Sequence, residues 1–173
     1  MSAELICGNL RRSGDEVAER ALRLAGGLAR LGVADGDVIA VMLRNGPVFI
    51  DAIQSCQTAG CYYCPINWHF KADEVAYLLN DSAAKVLIVE ADLLATLGDA
   101  VPAGVEVLVV GAGADDARDY ERWLAQQTPY DCPERTPRAH MAYTSGTTGR
   151  PKGVVRLAPP PELRAQMAEG MRE

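Results

Sequence analysis

The 173-residue chain has few of the features that mark several large classes of protein. It contains no run of about 18 apolar residues, and the closest approach, residues 86–94, is interrupted by Glu90 and Asp92, so no membrane-spanning helix is predicted. Its two histidines, His69 and His140, are too few and too isolated to predict a metal site or a catalytic triad. Its net charge of −6 is spread without a basic cluster, which argues against nucleic acid as a partner.

The N-terminus and the cysteines indicate a cytoplasmic protein. The opening stretch MSAELICGNLRRSG lacks a basic start followed by an apolar core, so we predict no signal peptide. Five cysteines, an odd number without a dense framework, favour a reducing compartment.

One cysteine pattern has two interpretations. Cys56, Cys61 and Cys64 have the C-x4-C-x2-C spacing of plant-type two-iron ferredoxins, with Cys132 as a conceivable fourth ligand. Periodicity nevertheless places Cys56 in a helix and the next two in a strand, where free cysteines act as small buried hydrophobes. We favour the buried interpretation over the cluster.

Helical and strand patterns alternate along the chain. Apolar residues at period 3.6 predict a helix over residues 15–31, with Ser13 as its cap and Leu31 on its apolar face. Further helices are predicted at 47–59, 73–81, 91–99 and 119–127, and strands at 37–43, 61–66, 85–89, 105–111, 140–144 and 153–157. This alternation predicts an α/β fold, with a mostly parallel sheet and helices on both faces. We assign residues 1–157 to this unit, and residues 158–173 to a proline-rich link and the start of a following helix.

The stretch YTSGTTGRPKG, residues 143–153, combines glycines, hydroxyl residues and one of the three lysines of the chain. Gly146, Gly149 and Gly153 would allow positive φ and close approach to a ligand. Successive backbone N–H groups, hydroxyls and the charge of Lys152 suit phosphate oxygens. The spacing differs from G-x-x-x-x-G-K-[ST], so a Walker-type NTPase is not predicted. By composition alone, a plain hairpin that binds nothing remains an equal alternative.

The order of these residues resembles the phosphate-binding signature of the adenylate-forming enzymes, which include acyl-CoA synthetases, firefly luciferase and peptide-synthetase adenylation domains. Residues 24–88 are similar to the N-terminal part of the same family, where a helix, a G-D-x-V-A-V strand and an A-G-x-x-x-x-P-[LI]-N segment follow one another. The matching positions there are Gly36, Asp37, Gly60, Pro65 and Asn67. The likeness is weak over residues 91–135.

The resemblance implies an α/β ligase of the acyl-CoA synthetase type. In that reaction a carboxylate attacks the α-phosphate of ATP, and coenzyme A then takes the acyl group from the acyl-adenylate. ATP, Mg²⁺ and coenzyme A are the implied cofactors, and a small carboxylic acid, in particular a fatty acid, is the implied substrate. On this chain the family's role of holding the β- and γ-phosphates would belong to Thr144, Ser145, Gly146, Thr147, Thr148, Gly149 and Lys152.

Two departures from the family pattern bear on function. The family has a Thr-His or Ser-His pair shortly after K-G-V, whereas RLAPPP stands here, which leaves the subfamily, the acyl substrate and the thiol acceptor (coenzyme A or a carrier protein) open. The family's adenine motif, magnesium-binding glutamate, acyl pocket and C-terminal lysine all come later than this loop. We therefore expect the N-terminal portion of a longer enzyme, inactive alone, with its catalytic residues beyond Glu173.

The alternative is a truncated, catalytically silent fragment or interaction module that retains the fold. Continuation of the natural reading frame past Glu173 would discriminate between the two. In either case, a sheet cut from a larger domain would leave an exposed edge, which predicts self-association.

Overall fold

The computed structural model describes residues 3–111, 118–133, 135–144 and 150–156. Within these ranges the strands are β1 (Glu4–Cys7), β2 (Leu10–Ser13), β3 (Val38–Met42), β4 (Tyr62–Pro65), β5 (Val86–Glu90), β6 (Glu106–Val110), β7 (Met141–Thr144) and β8 (Lys152–Val155). The helices are α1 (Gly14–Arg30), α2 (Pro47–Ala59), α3 (Ala72–Asp81), α4 (Ala91–Leu97) and α5 (Tyr120–Ala125). The link and helix predicted for residues 158–173 lie outside the described residues.

The centre of the fold is a four-stranded parallel sheet in the order β4-β3-β5-β6. Every residue of β3 is buried, as expected of a strand covered on both faces. Ile39 and Val41 pack in one cluster with residues of α1, α2 and α5, while Ala40 and Met42 pack in another with residues of α3 and α4. The predicted α/β fold with helices on both faces is confirmed.

The start of α1 follows from its sequence. Ser13 accepts a hydrogen bond from the backbone N–H of Glu16, and the Glu16 carboxylate accepts one from the backbone N–H of Ser13, which is a complete capping box. The predicted cap is therefore confirmed. The helix ends at Arg30, one residue before Leu31, which is exposed, so the prediction that Leu31 belongs to the apolar face was wrong.

The hairpin of β1 and β2 was not predicted. The two strands pair in antiparallel register from Glu4 opposite Ser13 to Cys7 opposite Leu10. None of the residues in either strand is fully buried. Because the hairpin has no buried face, its sequence lacks the apolar alternation by which strands are recognised.

Two consecutive glycines, Gly26 and Gly27, lie in the middle of α1, where glycine costs about 1 kcal/mol relative to alanine. The segment after α5 explains the first of them. A Cβ on Gly26 would overlap the backbone carbonyl oxygen of Thr128 and lie 3.0 Å from the carbonyl carbon of Pro129. The backbone N–H of Tyr130 donates to a carbonyl of α1 at 2.9 Å, so this segment is bonded to the helix that it crosses.

We expect Gly26→Ala to lower the free energy of unfolding by about 1–3 kcal/mol, although alanine is the better helix former, because the new methyl group overlaps backbone. Gly27→Ala is the comparison. Its Cβ would meet side-chain atoms of Trp123 and Gln127 rather than backbone, so the loss should be smaller. Urea unfolding followed by circular dichroism measures both. A more stable Gly26→Ala protein would contradict this account of the close approach.

Candidate phosphate-binding site

The predicted phosphate-binding loop joins β7 to β8, which form an antiparallel hairpin. At its open end Thr144 pairs with Lys152, and both residues are exposed. The structure thus brings together these two predicted site residues. The others, Ser145, Gly146, Thr147, Thr148 and Gly149, lie outside the described residues.

The loop follows a strand outside the four-stranded parallel sheet. Ligand-binding loops of parallel α/β sheets usually leave the carboxyl ends of strands in that sheet, whereas β7 pairs in a ladder with β8. Its predecessor His140 forms a single parallel bridge with Tyr63, so β7 starts beside the β4 edge of that sheet. The connection over residues 145–151 is short enough for a hairpin, whereas a parallel partner requires a crossover of about a dozen residues or more.

Gly153 has a different role from the predicted one. It lies in β8 opposite Tyr143, and it is not among the glycines with positive φ. A Cβ at this position would overlap the Met141 methyl group and lie 3.1 Å from the Tyr143 ring. Gly153 therefore does not use the positive φ that glycine allows, and its missing side chain makes room for two side chains of β7.

Two basic side chains lie at the loop exit. Among the described residues, Lys152 has no ion-pair partner, so its ammonium is available to a ligand. Arg150, two positions earlier, lies over the Tyr77 ring with its guanidinium carbon 5.4 Å from the ring centroid. An exposed lysine, an arginine and the Thr144 hydroxyl therefore surround the place where the chain enters and leaves the loop.

Sequence reasoning missed the residues that hold this hairpin against α3. The Tyr143 hydroxyl donates to Asp81 Oδ2 at 2.8 Å, and the Tyr77 hydroxyl donates to the Pro151 carbonyl at 2.9 Å. Burial raises the pKa of Tyr143, and the hydrogen bond to Asp81 raises it further, so the phenol stays protonated and donates. No local signal could have found Asp81, which lies 62 positions before Tyr143.

The cysteines of the ferredoxin-like pattern lie in the protein core. Cys56, Cys61 and Cys64 are buried and free, while Cys132 is exposed. Burial raises the pKa of Cys61 and of Cys64 to about 12 each, and raises that of Cys56 as well. In the described ranges, no three His, Cys, Asp or Glu side chains are grouped as metal ligands.

The rings of Trp68 and His69, after β4, are in contact and tilted by 31°, with centroids 3.5 Å apart. The guanidinium carbon of Arg44 lies 5.1 Å from the centroid of the Trp68 ring, and Arg44 is itself paired with Glu90 and Asp92. The tryptophan therefore packs on a surface ion pair. Among the described helices, none combines the length and the apolarity needed to span a membrane.

Comparison with known proteins gives consistent matches. A family model described as AMP-binding enzyme matches residues 3–157. The fatty acid–[acyl-carrier-protein] ligase ScoC of Streptomyces coeruleorubidus is 30% identical over 156 residues, which cover 87% of this chain and 29% of that protein. Feruloyl-CoA synthase of an Amycolatopsis species is 37% identical over 141 residues, which cover 81% of this chain and 27% of that protein.

The solved structures agree on the fold. The anthranilate CoA ligase AuaEII in complex with anthranoyl-AMP superposes with a TM-score of 0.80 over 91% of this chain and 32% of its own, at 23% identity. That identity shows a shared fold. The chain spans 27–29% of the length of the two curated relatives described above.

Proposed function

Since the chain belongs to the AMP-binding enzyme family, we propose that it supplies the ATP-phosphate site of an acyl-CoA synthetase. In the proposed reaction a carboxylate oxygen attacks the α-phosphorus of ATP, pyrophosphate leaves, and an acyl-adenylate forms. The thiol of coenzyme A then attacks the acyl carbon, and AMP leaves. The chain's own contribution is to hold the β- and γ-phosphates while the bond to the α-phosphorus breaks.

The observation that carries the proposal is the pairing of Thr144 with Lys152 across the base of the loop. The Thr144 hydroxyl and the Lys152 ammonium thereby lie on either side of a Gly/Thr-rich segment. Within the described part of the chain, Lys152 has no ion-pair partner. Each hydrogen bond to a charged phosphate oxygen contributes about 1.5–3 kcal/mol. Fixed donors and charge at a departing pyrophosphate stabilise the transition state without further rearrangement.

The same proposal includes the identity of the thiol acceptor and of the carboxylic acid substrate. The two curated relatives described above are named for different acceptors, an acyl-carrier protein in one and coenzyme A in the other, and for fatty and ferulic acyl groups. We propose coenzyme A and a fatty or other small carboxylic acid. We place the protein in the cytoplasm, in keeping with its free cysteines.

Of the implied groups, only the ATP phosphates fit residues that the structure describes. Lys152 and Thr144 offer a cation and a hydroxyl donor to phosphate oxygens. Among the described residues, no three His, Cys, Asp or Glu side chains are grouped as metal ligands, and we derive no step through Mg²⁺.

Carboxylate-dependent exchange of pyrophosphate into ATP tests the proposed function. We expect exchange from the protein expressed from its full natural reading frame, with at least one acid in a panel of fatty and aromatic acids. The 173-residue chain alone should show none, because loop hydrogen bonds cannot replace the groups that align the α-phosphate. Loss of exchange with every acid, while ATP still binds, would favour the alternative of a catalytically silent module.

Self-association is also a proposal. Val154 and Val155 are exposed on β8, which pairs only with β7 among the described strands. An unpaired edge with apolar side chains is a surface on which a second copy can add a strand.

A further inference from the structure

We propose that Asp81, the last residue of α3, is a positioning residue for the phosphate-binding loop. It acts on the start of the loop through Tyr143, while Tyr77 of the same helix holds the end of the loop directly. The inference rests on the proposed phosphate-binding function. It concerns residues that contact the two ends of the loop, at Tyr143 and Pro151, and that are not among the predicted phosphate contacts.

The first attachment is at the start of the loop. Tyr143 directly precedes Thr144, and its hydroxyl donates to Asp81 Oδ2 at 2.8 Å. The Tyr143 side chain lies over Gly153 in the neighbouring strand, where a Cβ would come within 3.2 Å of its hydroxyl oxygen. The glycine thus permits the tyrosine to lie across the hairpin and reach Asp81.

The second attachment is at the end of the loop. Pro151 directly precedes Lys152, and its carbonyl oxygen accepts from the Tyr77 hydroxyl at 2.9 Å. Tyr77 lies one helical turn before Asp81, and its hydroxyl oxygen is 3.5 Å from Asp81 Oδ1. Since the Tyr77 hydroxyl has one proton and donates it to Pro151, Asp81 holds the start of the loop through Tyr143, and Tyr77 holds the end of the loop beside it.

The helix that carries this cluster is itself well fixed. Val75, Leu78 and Leu79 of α3 are buried against the parallel sheet. The Glu74 carboxylate accepts a hydrogen bond from the backbone N–H of Lys71 at the start of the helix. Asp81 thereby ties the hairpin to the protein core. Among the described residues, the one β-bridge from this part of the chain to that sheet joins His140 to Tyr63.

Loss of the Tyr143 hydroxyl should weaken ATP binding, because it loosens the strand that pairs with Lys152. Displacement of a positioned group by about 1 Å can cost up to about a hundredfold. In the protein expressed from its full natural reading frame, we expect Tyr143→Phe to weaken ATP binding about tenfold, measured by calorimetry. Asp81→Asn keeps the shape and one acceptor oxygen, so its effect should be intermediate. Tyr130→Phe, which removes a hydroxyl bonded to Pro133 elsewhere, should bind ATP normally.

A double-mutant cycle separates positioning from general destabilisation. If Tyr143 acts through Lys152, then Tyr143→Phe should change ATP affinity less than twofold in a Lys152→Ala background. Equal losses in both backgrounds, or wild-type affinity in folded Tyr143→Phe and Asp81→Asn proteins, would overturn the inference alone. If the wild-type protein binds no ATP, the proposed function fails, and the inference fails with it. Circular dichroism measures whether each variant folds. If Tyr143→Phe does not fold, the ATP affinity of Asp81→Asn tests the inference in its place.

Discussion

Replacing Asp51 with alanine is expected to lower the free energy of unfolding by about 3–5 kcal/mol, the cost of removing one partner from a buried ion pair. Asp51 is fully buried in α2. Its Oδ2 accepts hydrogen bonds from Arg20 Nε at 2.9 Å, from the Tyr120 hydroxyl at 3.2 Å and from Arg12 at 3.4 Å. One carboxylate oxygen therefore joins β2, α1, α2 and α5.

The magnitude follows from what the substitution leaves behind. The Arg12 and Arg20 side chains are only 14% and 19% exposed, so water cannot fully replace the lost anion. A loss of about 3–5 kcal/mol is a large part of the free energy of unfolding of an ordinary domain, which is about 5–15 kcal/mol. Urea unfolding followed by circular dichroism gives the difference.

Glu121→Gln is the matched control for Asp51→Ala. Glu121 also pairs with Arg20, but its side chain is 56% exposed, so its loss should cost only about 0–1 kcal/mol. If Asp51→Ala and Glu121→Gln proved equally stable, the buried cluster would not stabilise this fold as we describe.

Replacing Lys152 with alanine is expected to lower the rate of adenylation by about ten- to a hundredfold, because it removes one charged contact of about 1.5–3 kcal/mol to the β- and γ-phosphates. The second half-reaction, started from a supplied acyl-adenylate, does not involve pyrophosphate and should be nearly unchanged. Both rates are measured on the protein expressed from its full natural reading frame. Thr147→Ala should act in the same direction but more weakly, since it removes only a hydroxyl donor.

Lys85→Ala is the matched control for Lys152→Ala. It removes the same charge just before β5, from a residue whose backbone N–H bonds to Val38 at the start of β3. Both half-reactions should keep their rates in this variant. If both fell equally in a folded Lys152→Ala protein, a structural role for that lysine would be the better account.

The sequence by itself determined most of the secondary structure, because the local signals were strong. The bounds of α2, Pro47–Ala59, match the prediction. Proline at its first position has no N–H to lose, and Gly60 at its end adopts a left-handed conformation, with φ of 66°. Continuous apolar runs likewise predicted the buried strands, since burial on both faces leaves no polar alternation. The order of residues in the loop pointed to the family, which the match over residues 3–157 confirms.

Pairing between distant side chains was decided only by the tertiary structure. Four-residue spacing on α1 permits Glu16–Arg20 and Glu19–Arg23 ion pairs, and the second is present, at 2.8 Å. Arg20 instead bonds to Asp51 and Glu121, while Glu16 completes the cap of its helix. Helical spacing shows which charges can meet along one helix, but it contains no information on what another helix brings closer.

The same reason applies at the candidate site. The residues of the loop are contiguous, so their chemistry could be recognised from the sequence alone. Asp81 and Tyr77 come near the loop only because α3 packs on the sheet beside the β7–β8 hairpin. Position 153 requires a glycine because the Tyr143 side chain lies across it. Periodicity in the sequence indicates which residues are buried. The partner of each buried or hydrogen-bonded group depends on which distant segments pack together in the tertiary structure.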